Sequence, residues 1–458
     1  MMRPRWLVAI ALLFLTGCTV GPNYKRPAVT VPGEYRGLAP DADKQAAAWA
    51  EEKWWSVFQD EELQKLIRTS LEQNYDLRIA ATRILQAQAV LGITRADQAP
   101  TIDASASAFN QRFPQNLGTP PIETSTLQAS ARLAWELDFW GKFRRATEAA
   151  RADVLATEWG QRAVRTTLVG DVATAYFQLR ELDLELEISK QTLASRQESL
   201  RLVEVRAKGG VTSMLDVRQS EQLVYGAAAN IPDLERRIEQ QENFISILLG
   251  QNPGPIPRGK PLVDNVVPPN VPAGLPSSLL ERRPDIQAAE QNLVAANARI
   301  GVARAAYFPQ ITLTAVGGFQ SSALTSLFTG PAGLWSFGGQ LLQPIFNRGR
   351  IRSNVQLTEA QKEEAVLVYQ QSIQQAFRDV SDSLVAYRKN QESREQQYLL
   401  MKAAEDATRL SNMRYRGGVT SYLEVLDSDT RYFSAQIGLA QADLNERLAM
   451  VQLYRSLG

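Results

Sequence analysis

Glu424 and Asp427 stand three residues apart where a helix is expected to begin, so both carboxylates fall on one face, one turn apart. Two readings fit that spacing. In a symmetric oligomer each position becomes a ring of carboxylates around the axis, which favours cations and resists anions. Alternatively, the pair are acids near a helix N-terminus, stabilised by the macrodipole. The rest of the chain offers little for catalysis. Its 458 residues include no histidine and one cysteine. It therefore lacks the parts for the usual zinc, copper or iron sites and for a Ser–His or Cys–His pair. No catalytic residue, no metal ligand and no dissociable cofactor is expected. Gly254-Pro255-Ile256-Pro257-Arg258-Gly259-Lys260-Pro261 has the look of a phosphate loop, but its last position is proline. It offers no hydroxyl for magnesium and no following helix N-terminus, so it reads as linker. Lys plus Arg is 50 and Asp plus Glu is 49, a net charge of +1. Nucleic acid is not an expected partner, because no basic excess exists to meet phosphates.

The one thiol has a different role. Arg3 and Arg5 precede an apolar stretch, Trp6 to Leu15, that is too short to span a bilayer as a helix. Leu15-Thr16-Gly17-Cys18 follows, the pattern at which bacterial lipoproteins are cut. Cleavage before Cys18 frees its thiol and amine to carry diacylglycerol and an N-acyl chain, each CH₂ contributing about 0.8 kcal/mol on burial in lipid. Thr19, rather than Asp, after Cys18 is similar to lipoproteins sorted to the outer membrane. No later stretch offers eighteen consecutive apolar residues, so a membrane crossing would have to be a β-barrel.

The elements that would position these groups come in duplicate. Residues 206–217, Arg-Ala-Lys-Gly-Gly-Val-Thr-Ser-Met-Leu-Asp-Val, return at 414–425 as Arg-Tyr-Arg-Gly-Gly-Val-Thr-Ser-Tyr-Leu-Glu-Val. Leu91-Gly92-Ile93-Thr94-Arg95-Ala96 returns as Ile300-Gly301-Val302-Ala303-Arg304-Ala305, and Asp171-Val172 as Asp379-Val380. One offset of about 208 residues relates them, which marks a single duplication. Each half reads helix, strand, strand, long helix, tight glycine turn, helix. Val172, Leu179, Leu186, Leu193 and Leu200 recur every seven residues, with Ala175, Leu182 and Val203 between, a coiled-coil seam. The helix over 142–208 would be about 100 Å long, with a counterpart over 350–416. The proline-rich stretch 251–276 joins the halves.

The strand segments alternate. In 125–137, Leu127, Ala129, Ala131, Leu133, Trp135 and Leu137 share one face, and Gln128, Ser130, Arg132 and Glu136 the other. Residues 101–109 alternate more weakly. Ile311, Leu313 and Ala315 oppose Gln310, Thr312 and Thr314, while Trp335, Phe337 and Leu341 share a parity. One apolar face at period two suits a lipid-facing barrel strand, or a small sheet packed on helices. If the strands lie in lipid, four cannot close a barrel, and membranes tolerate no open sheet edge. Two copies give eight strands, whose interior side chains fill; three give twelve and leave a lumen.

These motifs together resemble the TolC-type outer-membrane factors, in the lipoprotein subgroup of NodT-like and OprM-like exit ducts. The resemblance rests on Gly21-Pro22-Asn23-Tyr24, on Trp54-Trp55 with Phe58, Asp60 and Leu63, and on Leu279-Leu280-Glu281-Arg282-Arg283-Pro284-Asp285-Ile286. Gln343-Pro344-Ile345-Phe346, Gly349-Arg350 and the run Gly418 to Asp427 complete it. It implies a mainly α protein with a β-barrel: a homotrimer with four barrel strands per chain and long coiled-coil helices. It implies a periplasmic adaptor, an inner-membrane pump of the RND type, and an outer-membrane location. It implies carboxylate rings at Glu424 and Asp427, and a gate latch of Tyr415 on one tip with Asp216 on the other. Thr420 stands where some relatives have a latch arginine, which leaves Arg414 and Arg416 as substitutes. The tips, Gly209, Gly210, Val211, Thr212 and Ser213 with Gly417, Gly418, Val419, Thr420 and Ser421, are expected to meet the adaptor.

The expected organisation is a signal peptide at 1–17, a lipidated tether at 18–60, repeats at 61–250 and 277–458, and the linker at 251–276. The expected function is a passive outer-membrane channel for export, against a lipid-tethered periplasmic spacer without a pore. As a channel, the purified protein should migrate on gels as a heat-modifiable oligomer and give a strong β signal in detergent; a spacer should do neither.

Overall fold

The structure, a computed structural model, describes residues 19–36, 58–114, 122–264 and 276–457. The signal peptide, Cys18 and Trp54-Trp55 lie outside the described residues. In chain order the elements are α1 (Glu61–Gln73), α2 (Tyr75–Ala96), β1 (Thr101–Phe113), β2 (Ile122–Glu136), α3 (Lys142–Lys208) and α4 (Met214–Leu248). Then follow α5 (Pro276–Arg282), α6 (Pro284–Ala305), β3 (Gln310–Ser321), β4 (Gly333–Leu342), α7 (Arg350–Arg416) and α8 (Tyr422–Leu457). The two long helices are each 67 residues. Each starts behind a glycine in the left-handed region, Gly141 (φ 77°) and Gly349 (φ 83°), which only glycine occupies cheaply. The chain forms two compact units, each drawing on both repeats: residues up to 28, 82–158 and 288–370 in one, and 29–81, 159–287 and 371–458 in the other.

The first unit holds an antiparallel sheet in the order β1-β2-β3-β4. Its register decides which side chains share a face. Ile102 pairs with Leu133, Ala104 with Ala131, Ala106 with Ala129 and Ala108 with Leu127. Leu133 pairs in turn with Ala315, and Ala315 with Phe337; Trp135 pairs with Leu313, and Ile311 with Leu341. Directly opposed residues lie on the same face. One face is therefore apolar across all four strands, while Asp103, Ser105, Arg132, Ser130, Thr312, Thr314, Gln340 and Ser336 occupy the other. The weak alternation of β1 is resolved by its partner. Phe337 is 83% and Trp335 79% exposed, so the chain by itself leaves large aromatics uncovered. β1 and β4 each have a single neighbour in this sheet. Below the strands in this unit, Ala149 and Ala152 of α3 pack on Ala295 and Ala298 of α6, small residues that let backbones approach.

The second unit carries the larger core. Phe58, Leu63 and Ile67 pack among Val172, Tyr176, Phe177 and Leu179 of α3 and Met450, Leu453 and Tyr454 of α8. The predicted heptad seam is buried at Val172, Ala175, Leu179, Leu182 and Val203, and half-buried from Leu186 to Leu200. Asp60 organises the entry to this core. It is fully buried and caps α1 by accepting from the amides of Glu62 and Leu63, both at 3.1 Å. Its other oxygen accepts from the Tyr176 hydroxyl at 2.9 Å and the Lys260 amide at 3.2 Å, and the Gly259 amide donates to the Tyr176 oxygen at 2.8 Å. The loop that mimics a phosphate site thus spends its amides inside the protein. Asn74 separates α1 from α2: it ends α1 and caps α2 by accepting from the Leu77 amide at 3.0 Å. The two aspartates related by the duplication are both matched by arginines. Asp171 takes Arg455 at 3.1 Å, and Asp379 takes Arg283 of the Arg-Arg-Pro-Asp run at 3.2 Å.

Glu181 and Glu185 sit one turn apart on α3, both buried. Glu181 lines a cavity of about 390 Å³ with Gln178 of α3, Arg237 and Gln240 of α4 and Gln441 of α8 among its walls. Arg237 reaches Glu185 at 3.5 Å. Burial first, then a hydrogen bond and charge repulsion from Glu185, push the Glu181 carboxyl up to about 8. Its folded value lies above its unfolded one, so its stabilising contribution is complete below the ordinary carboxyl range and is lost as pH rises through about 8. Denaturation followed by far-UV circular dichroism should show resistance falling from mildly acidic pH to about 8 and levelling beyond it. Glu181→Gln should flatten that slope and raise the alkaline midpoint by on the order of 5 °C.

Candidate functional site

The two helix tips are built alike. In the first, the Gly210 amide donates to Ala207 O at 3.0 Å and the Val211 amide to Arg206 O at 2.9 Å, with Gly210 at φ 72°. In the second, Gly418 donates to Tyr415 O at 3.0 Å and Val419 to Arg414 O at 2.9 Å, with Gly418 at φ 75°. This paired closure of the last carbonyls needs a left-handed residue, which accounts for the repeated glycines. Ser213 then opens α4 through a reciprocal cap with Asp216. The tips leave Val211, Met214, Leu215, Val419 and Leu423 exposed.

Each tip clamps its own carboxylate. The Thr212 hydroxyl donates to Asp216, and the Thr420 hydroxyl donates to Glu424. Arg414 adds an ion pair to Glu424 at 3.2 Å. Thr420 and Arg414 thus meet on one acid, and Arg414, of the two candidate arginines, is the one in contact with it. Asp427 pairs with Arg431 at 2.8 Å, one turn further along α8, and stays exposed.

Within one chain Tyr415 and Asp216 are not brought together. Asp216 is engaged by its own helix start. The Tyr415 ring is buried against Tyr422 at 5.3 Å, beneath the Arg206 guanidinium at 4.4 Å. Arg206 also donates to Tyr415 O at 2.9 Å. The Tyr415 hydroxyl is buried and has no hydrogen-bond partner among the described residues. Sequence reasoning missed this Arg206–Tyr415 contact, although both belong to the duplicated tip motif. It also missed how the hairpins are tied. Arg196 of α3 donates to Asp429 of α8 at 2.8 Å and to Leu223 O of α4 at 3.2 Å. The Tyr422 hydroxyl donates to Ser220 at 3.0 Å. No short motif announces those pairs, since their members lie far apart in the chain.

No helix among the described residues is long and apolar enough to cross a membrane. A sheet with one apolar face and two open edges, joined to paired helical hairpins, defines a class that comparison confirms. The sequence model for outer membrane efflux proteins matches residues 66–251 and 275–458. The chain is 40% identical to the solvent efflux pump outer membrane protein SrpC of Pseudomonas putida, over 100% of this chain and 98% of that one. It is 34% identical to the cation efflux system protein CusC of Escherichia coli O6:H1, over 97% of this chain and 96% of that one. Its structure aligns with the open state of the Neisseria gonorrhoeae MtrE outer membrane channel at a TM-score of 0.86 and 30% identity, covering 96% of this chain and 98% of that one.

The chain belongs to the outer membrane efflux protein family. Its fold is that of the trimeric TolC-type channels, and its function is that of an outer-membrane channel component of a tripartite efflux system, not a spacer without a pore. Tyr415→Phe removes a buried hydroxyl that no described residue of its own chain satisfies. Thermal stability should move by less than about 0.5 kcal/mol. If the hydroxyl latches a carboxylate of a second subunit, resting conductance of the variant in planar bilayers should rise.

Proposed function

We propose that three copies of this chain close their sheets into one twelve-stranded barrel and form a passive exit duct that catalyses nothing. The duct takes a periplasmic adaptor at its tips and receives cargo from an inner-membrane pump of the RND type. Cys18, acylated with diacylglycerol and an N-acyl chain, anchors each copy in the outer membrane. One observation carries this reading: the sheet is apolar on one continuous face and unpaired at both edges. Lipid can cover that face, but nothing in lipid can satisfy the edge amides and carbonyls. Copies joined edge to edge satisfy them and enclose the polar face around water.

The exposed apolar residues of the tips suit a protein partner, and the Gly209 to Ser213 and Gly417 to Ser421 turns present them. Glu424 and Asp427 act as acidic rings at the periplasmic gate. Arg414 and Arg431 partly offset their charge, so the gate filters weakly by sign. Relatives named for solvents and for cations are similar to this chain over nearly its whole length. Cargo choice therefore rests with the pump.

The purified oligomer in a planar bilayer should show discrete ion conductance with a preference for cations. Asp427→Asn should reduce that preference by roughly half, as expected for removing one ring of two. A folded single subunit, stable in detergent and electrically silent, would overturn the proposal.

A further inference from the structure

The stretch that follows Cys18 has no regular structure, yet it is seated residue by residue on the first unit. The Val20 amide donates to Trp140 O at 3.0 Å, four residues after β2 ends. Arg145 of α3, 4% exposed, fans its guanidinium over the same stretch. It donates to Val20 O and Gly21 O at 3.3 Å and to Asn23 Oδ1 at 2.7 Å, with Glu148 at 2.7 Å completing its set. Asn297 of α6 donates to Pro22 O at 2.9 Å. Tyr24 donates to Glu290 of α6 at 3.0 Å, and Arg26 pairs with the same buried carboxylate. Gly21, at φ 105°, comes so close to Gly301 that an added Cβ would lie 2.5 Å from its Cα.

The duplication supplies an internal control. The tether occurs once, whereas the helices that hold it occur twice. By the offset of the repeats, Arg145 corresponds to Ser353, Glu290 to Ala81 and Asn297 to Gln88. None of the three contact residues has a twin. Gly301 has one in Gly92, but an added Cβ at Gly92 would meet nothing within 4 Å, whereas at Gly301 it would lie 2.7 Å from Val20 O. Arg145 is buried and Ser353 exposed. Residues present only in the copy that carries the tether are explained by the tether.

We propose that Arg145, with Glu290 and Asn297, is a seat that fixes the tether and so holds the anchor at the junction of strand and helix. The proposal rests on the reading of Cys18 as the lipidated residue. Cys18 precedes Val20 by two residues, so a seated Val20 leaves two peptide bonds of chain, at most about 7 Å, between seat and anchor. The junction is itself suited to an interface. The Trp140 indole donates to Pro309 O at 2.8 Å and stacks on Phe308 at 4.7 Å, and the Trp135 indole donates to Gln98 O at 3.0 Å. If residues 19–26 came loose they would span up to about 27 Å, close to the thickness of the hydrocarbon layer. An unseated tether would let the acyl chains hold the protein in the membrane without fixing its depth. Arg145 is thus a positioning residue for the anchor.

The test is limited trypsin digestion of the native oligomer, read by mass spectrometry of the released N-terminal peptides. Wild type should resist cleavage after Lys25, the trypsin site within the seated stretch, since Pro27 blocks the bond after Arg26. Arg145→Ala should be cut roughly tenfold faster, as expected when a locally stable segment opens. Arg145→Lys should fall between. Gly21→Ala, which unseats the tether without altering the guanidinium, should reproduce the effect. All variants should keep their acyl mass and their heat-resistant oligomer. Unchanged cleavage in both Arg145→Ala and Gly21→Ala would overturn the seat. So would loss of the oligomer in Arg145→Ala with normal protection in Gly21→Ala, since that would make Arg145 a general folding residue. Absence of acyl mass from the wild-type N-terminal peptide would instead overturn the lipidation reading, leaving the seat to be judged on cleavage alone.

Discussion

An amide left unpaired in hydrocarbon costs several kcal/mol, and the rest of this molecule answers to that constraint. The sheet has four strands and two open edges. It is apolar on a single face because register places Ile102, Leu133, Ala315 and Phe337 side by side. Burying that face in lipid is favourable only if the edges are paired by other copies. The subunit thus carries four strands of a barrel wall without the means to close it alone.

In the second unit, polar side chains take up the same task of satisfying backbone. The glycine tips close two helices with amides pointing back at the last carbonyls. Thr212 and Thr420 hold acids at the start of the next helix, and Asp60 gathers four donors at the head of α1. The Arg283–Asp379 and Arg455–Asp171 pairs show the duplication used for different ends: the aspartates are inherited, whereas their arginines come from unrelated points of the chain. The two copies differ plainly at Arg145, which is buried and bonds to Val20, Gly21 and Asn23, whereas its counterpart Ser353 is exposed.

The polar residues of the second tip divide by what each can do within a single chain. Glu424 is bound by Thr420 and Arg414, so its charge is held in place. Asp427 is exposed and pairs with Arg431. Tyr415 has a buried hydroxyl with nothing to donate to among the described residues, the one member of the tip left incomplete. A group of that kind fits a site finished by a second subunit or a partner.

Much was legible before any coordinates. Periodicity gave both long helices to the residue, because a heptad seam and a glycine stop are local signals. Strand segments were found through alternation, and their limits shifted by a few residues where pairing, not pattern, sets the end. The placement of Glu424 and Asp427 at a helix start was legible because their spacing is local. Other features belonged to tertiary structure alone. The weak alternation of β1 became meaningful only once register aligned it with β2. Arg145, Asp60, Glu181 and the Arg206–Tyr415 contact gain their roles from neighbours between 4 and about 200 residues away, and a sequence does not encode which distant groups will share a dry space. The sequence by itself determined the repeats, the helices and the two-faced strands, since these follow from residue-by-residue periodicity. The folded chain decided which polar groups are buried together, since burial is a property of packing and packing brings together residues that no local pattern connects.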